Sequence, residues 1–119
     1  MDTNSALRLL PGQWVMHIYL RDKAGKPRLF EDQVEIRETS GALGGQLTVP
    51  GAFTTKLENF VVSGRHFAFE IEADEGRGKF RVRYEGDLHA EDDRTFVGFG
   101  NVLVPERGLL GGFVGQRLD

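Results

Sequence analysis

The segments FAFEIE (residues 67–72) and KFRVRY (residues 79–84) decide the fold of this chain. Apolar side chains take alternate positions in both segments, starting at Phe67 and at Phe80, and mostly charged side chains take the positions between them. Alternation with a period of two is typical of a β-strand with one apolar face. The residues Asp-Glu-Gly-Arg at 74–77 favour a turn, so the two segments predict an antiparallel hairpin.

Alignment of the two apolar faces sets the register that we predict for this hairpin. It pairs Phe69 with Val82, and on the other face it places Glu70 beside Arg81. Cross-strand pairs of opposite charge contribute about 0.2–1 kcal/mol each, so they support this register. The pattern is typical of an antiparallel sheet with one face in the core and one face in solvent.

A second hairpin is predicted near the start of the chain. Its first strand has the apolar face Trp14, Met16, Ile18 and Leu20, and its return strand has the inward face Phe30, Asp32, Val34 and Ile36. Residues 22–27 have turn composition. The alignment pairs Ile18 with Asp32 and Trp14 with Ile36, and it leaves one carboxylate on an otherwise apolar face.

The remaining segments extend the same pattern to about eight strands. A helical turn is predicted at 5–10, and further strands at 46–49, 54–62, 95–104 and 109–118, with glycine-rich or proline-containing turns between them. Sequential antiparallel strands leave two edges, and closure of the sheet removes them. We therefore expect residues 1–119 to form one all-β domain, an eight-stranded antiparallel up-and-down barrel.

Composition excludes several classes of function. The chain is 39% hydrophobic and 28% charged, and its net charge of −3 argues against a general nucleic-acid binder. It has no apolar run long enough to span a membrane and no signal-peptide pattern, so we expect a cytoplasmic protein. It has no cysteine, and His17, His66 and His89 are scattered, so we expect neither a metal site nor a cofactor.

The two ends of the chain resemble the calycin superfamily of lipocalins, fatty-acid-binding proteins and avidins. The resemblance is carried by Gly12-Gln13-Trp14 on the first strand and Arg117 on the last. It implies a lipocalin-like barrel in which the arginine packs across the indole, a cation–π contact, and it gives Trp14 and Arg117 a structural role. It also implies an interior that can hold one small ligand. The chain departs from avidins, which line their pocket with several tryptophans, because Trp14 is its only one.

Asp32 is the residue that fits the barrel pattern least. A buried carboxylate needs a partner, a raised pKa or access to solvent. It is therefore a candidate anchor for the polar group of a ligand, or a general base. The alternative is that Asp32 lies at the rim of the barrel or that a bulge changes the parity of its strand.

The sequence is compatible with three functions. The leading hypothesis is a barrel that binds a hydrophobic or amphipathic small molecule. An enzyme using Asp32, with Tyr84 as hydrogen-bond donor, is the second, although the chain carries no nucleophile or phosphate-loop motif. A packed assembly module is the third, since both faces of 96–104 are apolar and predict a homo-oligomer contact through Phe96 to Val104. A local bulge at Gly98 or Gly100 is the competing explanation of this pattern. The predicted ligand-binding residues are the candidate inward-facing ones: Met16, Ile18, Asp32, Asn59, Phe67, Phe69, Phe80 and Tyr84.

Overall fold

A short helix followed by nine antiparallel strands makes up the described part of the chain. The computed structural model describes residues 2–21, 24–74, 79–90, 96–104 and 108–118, and for 90, 96–101, 103–104 and 108–110 it describes the backbone alone. The elements are α1 (Thr3–Leu9), β1 (Gly12–Arg21), β2 (Pro27–Thr39), β3 (Ala42–Val49), β4 (Phe53–Lys56), β5 (Glu58–Ser63), β6 (His66–Asp74), β7 (Lys79–Ala90), β8 (Phe96–Val104) and β9 (Gly108–Arg117). The predicted all-β, antiparallel class is confirmed.

The strands pair in the order β4-β3-β2-β1-β9-β8-β7-β6-β5. Its two terminal members, β4 and β5, are consecutive in the chain and are separated by Leu57 alone. The strand predicted at 54–62 is therefore two strands, the first pairing with β3 and the second with β6. Leu57 is buried, and its backbone N–H donates to the carbonyl of Gly45 at 2.9 Å. β4 also lies against β6, so the two ends of the sheet approach each other.

Both predicted hairpins form, but each has a register two residues away from the predicted one. Asp32 lies opposite Met16 instead of Ile18, and Phe69 lies opposite Tyr84 instead of Val82. A slip of two residues leaves every side chain on its predicted face, because side chains alternate with a period of two. The apolar pattern therefore cannot distinguish these registers.

The sequence predicts a glycine-rich turn over 41–45, and the connection from β2 to β3 is tighter than this. Ser40 and Gly41 both have positive φ, 53° and 83°, and they form a two-residue hairpin loop. β3 consequently starts at Ala42, and Gly45 lies within the strand with φ of 136°. A Cβ atom at Gly45 would lie 1.8 Å from the carbonyl oxygen of Glu35, so glycine is required at this close approach.

Helix α1 covers one end of the sheet's interior. Its Ala6 and the following Leu10 are 0% and 1% exposed, and both belong to the core. Two side chains bind the carbonyls at its C-terminal end: Arg117 Nη1 donates to Leu9 at 2.7 Å, and Trp14 Nε1 donates to Leu10 at 2.9 Å. Trp14 and Arg117, to which the sequence analysis gives a structural role, thus hold the helix in place by satisfying backbone acceptors that a helix end leaves free.

Four aromatic rings form a continuous layer across the middle of the core. Tyr84 stacks on Phe69 with 5.0 Å between ring centroids, and it packs edge-to-face with Phe113 at 5.8 Å. Phe67 contacts both Phe69 and Phe113 at 6.5 Å and 6.2 Å. This layer, which we call the aromatic layer, divides the interior into a helix-covered half and an opposite half.

Candidate ligand site

The helix-covered half of the interior is filled. It contains a void of about 20 Å³, lined only by apolar side chains and one glycine: Leu10, Trp14, Met16, Val34, Ile36, Phe67, Phe69, Leu88, Phe113 and Gly115. A void of this size holds a single water at most. We therefore interpret the side chains of this half as core packing that stabilises the fold.

The opposite half contains a cavity of about 130 Å³. Its walls come from seven strands, β1, β2, β3, β4, β6, β7 and β8, and the lining residues are Ile18, Leu20, Phe30, Asp32, Val49, Phe53, Ile71, Ala73, Phe80, Val82, Tyr84 and Val102. Of these lining residues, Asp32 and Tyr84 alone have polar side chains. Phe30 is 43% exposed and marks the mouth of the cavity.

Asp32 is the buried charged residue of this site. Its side chain is 4% exposed, and Oδ1 has no hydrogen-bond partner among the described residues. Loss of hydration disfavours the charged carboxylate, and this raises the pKa of Asp32 from 3.8 to about 6. At neutral pH the cavity therefore contains a carboxylate that remains largely ionised and has an acceptor atom to offer.

Tyr84 supplies the second polar group. Burial raises the pKa of its hydroxyl above the ordinary value, and the negative charge of Asp32 raises it further. The hydroxyl consequently stays protonated throughout the physiological range. Asp32 is on β2 and Tyr84 is on β7, so the curvature of the sheet brings a charged acceptor and a neutral hydroxyl to one cavity.

The cationic side chains of β7 lie on its other face. Arg81 forms ion pairs with Glu58 and with Glu70, the latter at 3.0 Å. Arg83 pairs with Glu85 and lies 3.3 Å from Glu70. The hydrogen bond that Glu70 accepts from Arg81 holds the pKa of Glu70 below its ordinary value. These guanidinium groups are held on the outer surface, and none of the residues that line the cavity is cationic.

The structure divides the predicted ligand-binding residues between the two halves. Ile18, Asp32, Phe80 and Tyr84 meet at the larger cavity. Met16, Phe67 and Phe69 line the small void on the helix side instead, so they do not reach this cavity. The two groups lie at different positions along their strands, and alternation carries no information about that position.

Asn59 requires a correction. It was predicted to point inward, but its side chain is exposed. Its Nδ2 donates to Glu70 Oε2 at 3.4 Å on the outer surface. The pairing of β5 with β6 shifts between Glu58 and Val61, and Asn59 has a positive φ of 52°. This irregularity reverses the parity of the strand at that point.

Eight lining residues are not among the predicted ligand-binding residues. Four of them lie on faces that the alternation predicts to point inward: Leu20, Phe30, Ile71 and Val82. The other four were not placed on an inward face: Val49, Phe53, Ala73 and Val102. Ala73 continues the alternation of Phe67, Phe69 and Ile71, so its face was available from the pattern. Val49 and Phe53 flank a turn, and Val102 lies on a strand that is apolar on both faces. For these three the sequence carries no signal of which face points inward.

Three further observations bear on other kinds of site. Among the described residues, no three acidic or histidine side chains come together as metal ligands. The one described helix is too short and too polar to cross a bilayer. The side chains of 96–101 and 103–104, on which the predicted oligomer contact rests, lie outside the described residues.

Comparison of the chain with protein-family models, with curated proteins and with solved structures gives no match.

Proposed function

We propose that this chain is a small-molecule-binding β-barrel, closed between β4 and β5, whose ligand occupies the cavity beside Asp32. The observation that carries the proposal is an ionisable, unpartnered acceptor inside an apolar cavity. Buried polar atoms without partners are rare in folded proteins, and each one calls for an explanation. A ligand that supplies the missing hydrogen bond provides it.

Barrel closure is supported by the composition of the cavity wall. β3 and β4 stand at one end of the strand order, and β6 and β7 stand near the other, yet all four contribute side chains to the same cavity. The hydrogen bond from Leu57 to Gly45 lies at the junction of β4 and β5. A closed sheet of this kind leaves no exposed strand edges.

The cavity fits a small ligand. An engineered apolar cavity of about 150 Å³ in another protein binds benzene, and the cavity here has about 130 Å³ and opens at Phe30. We infer a ligand with a single ring, or an aliphatic body of similar bulk, inside the cavity. Longer ligands would extend past Phe30 into solvent.

Toluene is a suitable probe because it tests the apolar cavity without involving Asp32. We expect saturable binding of toluene, seen as chemical-shift changes of cavity methyl groups in NMR spectra. Ala73 is 4% exposed and lines the cavity, so Ala73→Leu fills the space and abolishes binding. The control Ala73→Ser adds one atom and keeps binding. Absence of toluene binding to the folded wild-type protein would refute the proposed function.

A second candidate function is supported by the shared position of Asp32 and Tyr84. A carboxylate with a pKa near the working pH is suited to act as a general base, and a neutral hydroxyl beside it can donate a hydrogen bond to a substrate. A ligand that co-purifies with the protein distinguishes the two functions. Recovery of that compound unchanged after prolonged incubation supports binding alone, and conversion that Asp32→Asn abolishes supports an enzyme.

Homo-oligomerisation through Phe96 to Val104, a cytoplasmic location and membership of the calycin superfamily stay predictions. Native mass spectrometry of the purified chain tests the first of them. A dimer that is lost on substitution of Val97 by Asp supports the predicted contact, and a monomer at micromolar concentration refutes it.

A further inference from the structure

We propose that the cavity takes a small cationic ligand, a protonated amine attached to a compact apolar body, and that it discriminates against carboxylates. This inference rests on the proposed function, because it assigns the charge of the ligand that the cavity binds. It follows from the identity of the polar groups in the cavity, the absence of cations among its lining residues and the burial of Asp32.

The polar groups of the cavity call for a hydrogen-bond donor. Asp32 Oδ1 is a buried acceptor without a partner among the described residues. The Tyr84 hydroxyl is neutral and can both donate and accept. An ammonium group has three N–H donors and no acceptor, so it can satisfy the carboxylate and the tyrosine oxygen together.

The charges around the cavity oppose an anion. No lysine, arginine or histidine is among the residues that line it, and Arg81 and Arg83 are engaged by glutamates on the outer surface. A carboxylate inside the cavity would lie near the negative charge of Asp32 without a counter-charge. Fatty-acid-like ligands are therefore disfavoured, although the apolar walls would accept their chains.

The fold itself removes most of the water around Asp32. Formation of an ion pair normally requires both partners to lose water, and this loss offsets much of the attraction. Here burial in the fold has already left the carboxylate 4% exposed, so most of the remaining dehydration cost falls on the amine. Hydrogen bonds to charged groups are also stronger than those between neutral groups. We expect an amine to bind at least about tenfold more tightly than a neutral molecule of the same shape.

Benzylamine, benzyl alcohol, benzoate and toluene form a matched set of probes. They share one ring and differ in the polar group attached to it. At pH 7.5 we expect benzylamine to bind wild-type protein at least tenfold more tightly than toluene, and benzoate to bind more weakly than toluene. Asp32→Asn keeps the size of the side chain and removes the charge. The affinity of this variant for benzylamine should therefore lie within about threefold of its affinity for toluene.

The pH dependence of the wild-type protein provides a test that requires no variant. Asp32 and Tyr84 are the titratable groups among the residues lining the cavity, and Tyr84 does not ionise near neutral pH. Protonation of Asp32, whose pKa is raised to about 6, removes the negative charge. Benzylamine binding should therefore weaken between pH 7 and pH 5, and toluene binding should stay constant.

The outcomes separate this inference from the function on which it rests. If toluene binds but benzylamine binds no better, or if the preference for benzylamine survives in Asp32→Asn, the inference is wrong and the proposed function stands. If benzyl alcohol equals benzylamine, the site recognises a neutral donor and the inference is likewise wrong. If no probe binds, the proposed function fails as well.

Discussion

Replacement of Asp32 by asparagine should stabilise the ligand-free protein, and the gain should depend on pH. Burial raises the folded-state pKa of this carboxyl group from 3.8 to about 6. A group whose pKa is higher in the folded state binds its proton more tightly there, so its contribution to stability is present at low pH. That contribution is lost as the pH rises from about 4 through about 6. The amide side chain of asparagine does not titrate, so Asp32→Asn avoids the loss.

The magnitude follows from the pKa difference. The difference between the ordinary pKa of 3.8 and the folded-state pKa of about 6 corresponds to about 3 kcal/mol in the free energy of unfolding, at about 1.4 kcal/mol per pKa unit. The cavity has a mouth at Phe30, and solvent there screens part of the penalty. We expect Asp32→Asn to gain about 2 kcal/mol over the wild-type protein at pH 8. At pH 4 the gain should be much smaller.

Urea denaturation followed by the fluorescence of Trp14 measures this difference. Trp14 is the single tryptophan and is 5% exposed, so unfolding changes its surroundings. Comparison of the two proteins at each pH cancels titrations that both share. Glu31→Gln is the matched control, since Glu31 precedes Asp32 in the strand and is exposed on the opposite face. A stability difference for Asp32→Asn that does not change between pH 4 and pH 8 would refute the reasoning.

Three further substitutions, the first with a matched control, test the packing. Gly45→Ala brings a Cβ atom onto the Glu35 carbonyl and should cost roughly 3 kcal/mol of stability or prevent folding. Its control Gly44→Ala, which has open space around it, should change stability by less than about 1 kcal/mol. Urea denaturation measures both changes. Leu47→Ala removes a side chain that is 0% exposed and should cost about 2–5 kcal/mol in the same assay. Trp14→Phe leaves the Leu10 carbonyl without its donor and should lower stability by about 1–3 kcal/mol, measured by circular dichroism.

Each of these predictions has a contradicting outcome. Equal stabilities for Gly45→Ala and Gly44→Ala would show that the close approach of β3 to β2 is relieved without cost. A loss below about 1 kcal/mol for Leu47→Ala would place this side chain outside the core. Wild-type stability of Trp14→Phe would mean that the bond to the end of α1 contributes nothing.

Alternation along the chain carried most of the correct expectations. It identified the antiparallel strands, the outward position of Arg81 and Arg83, and the inward position of Asp32. These features depend only on parity, because successive side chains of a strand point to opposite faces. Parity failed at Asn59, where a bulge and a positive φ reverse it locally.

Register and depth were decided by the tertiary structure. A slip of two residues preserves every face, so the pattern could not choose between pairing Asp32 with Ile18 and pairing it with Met16. The stagger of the strands then determines how far along the interior each inward side chain lies. It places Met16 and Phe69 against the void beside α1, and it places Asp32 and Tyr84 at the larger cavity.

The sequence by itself therefore determined the class of fold, the inward face of most strands and the identity of the one anomalous carboxylate. The tertiary structure alone decided that this carboxylate shares a cavity with Tyr84 and that no cation is among the residues lining it. The physical reason is that alternation is a local property of each strand. A cavity, by contrast, depends on the curvature of the whole sheet, which brings seven strands to a common space.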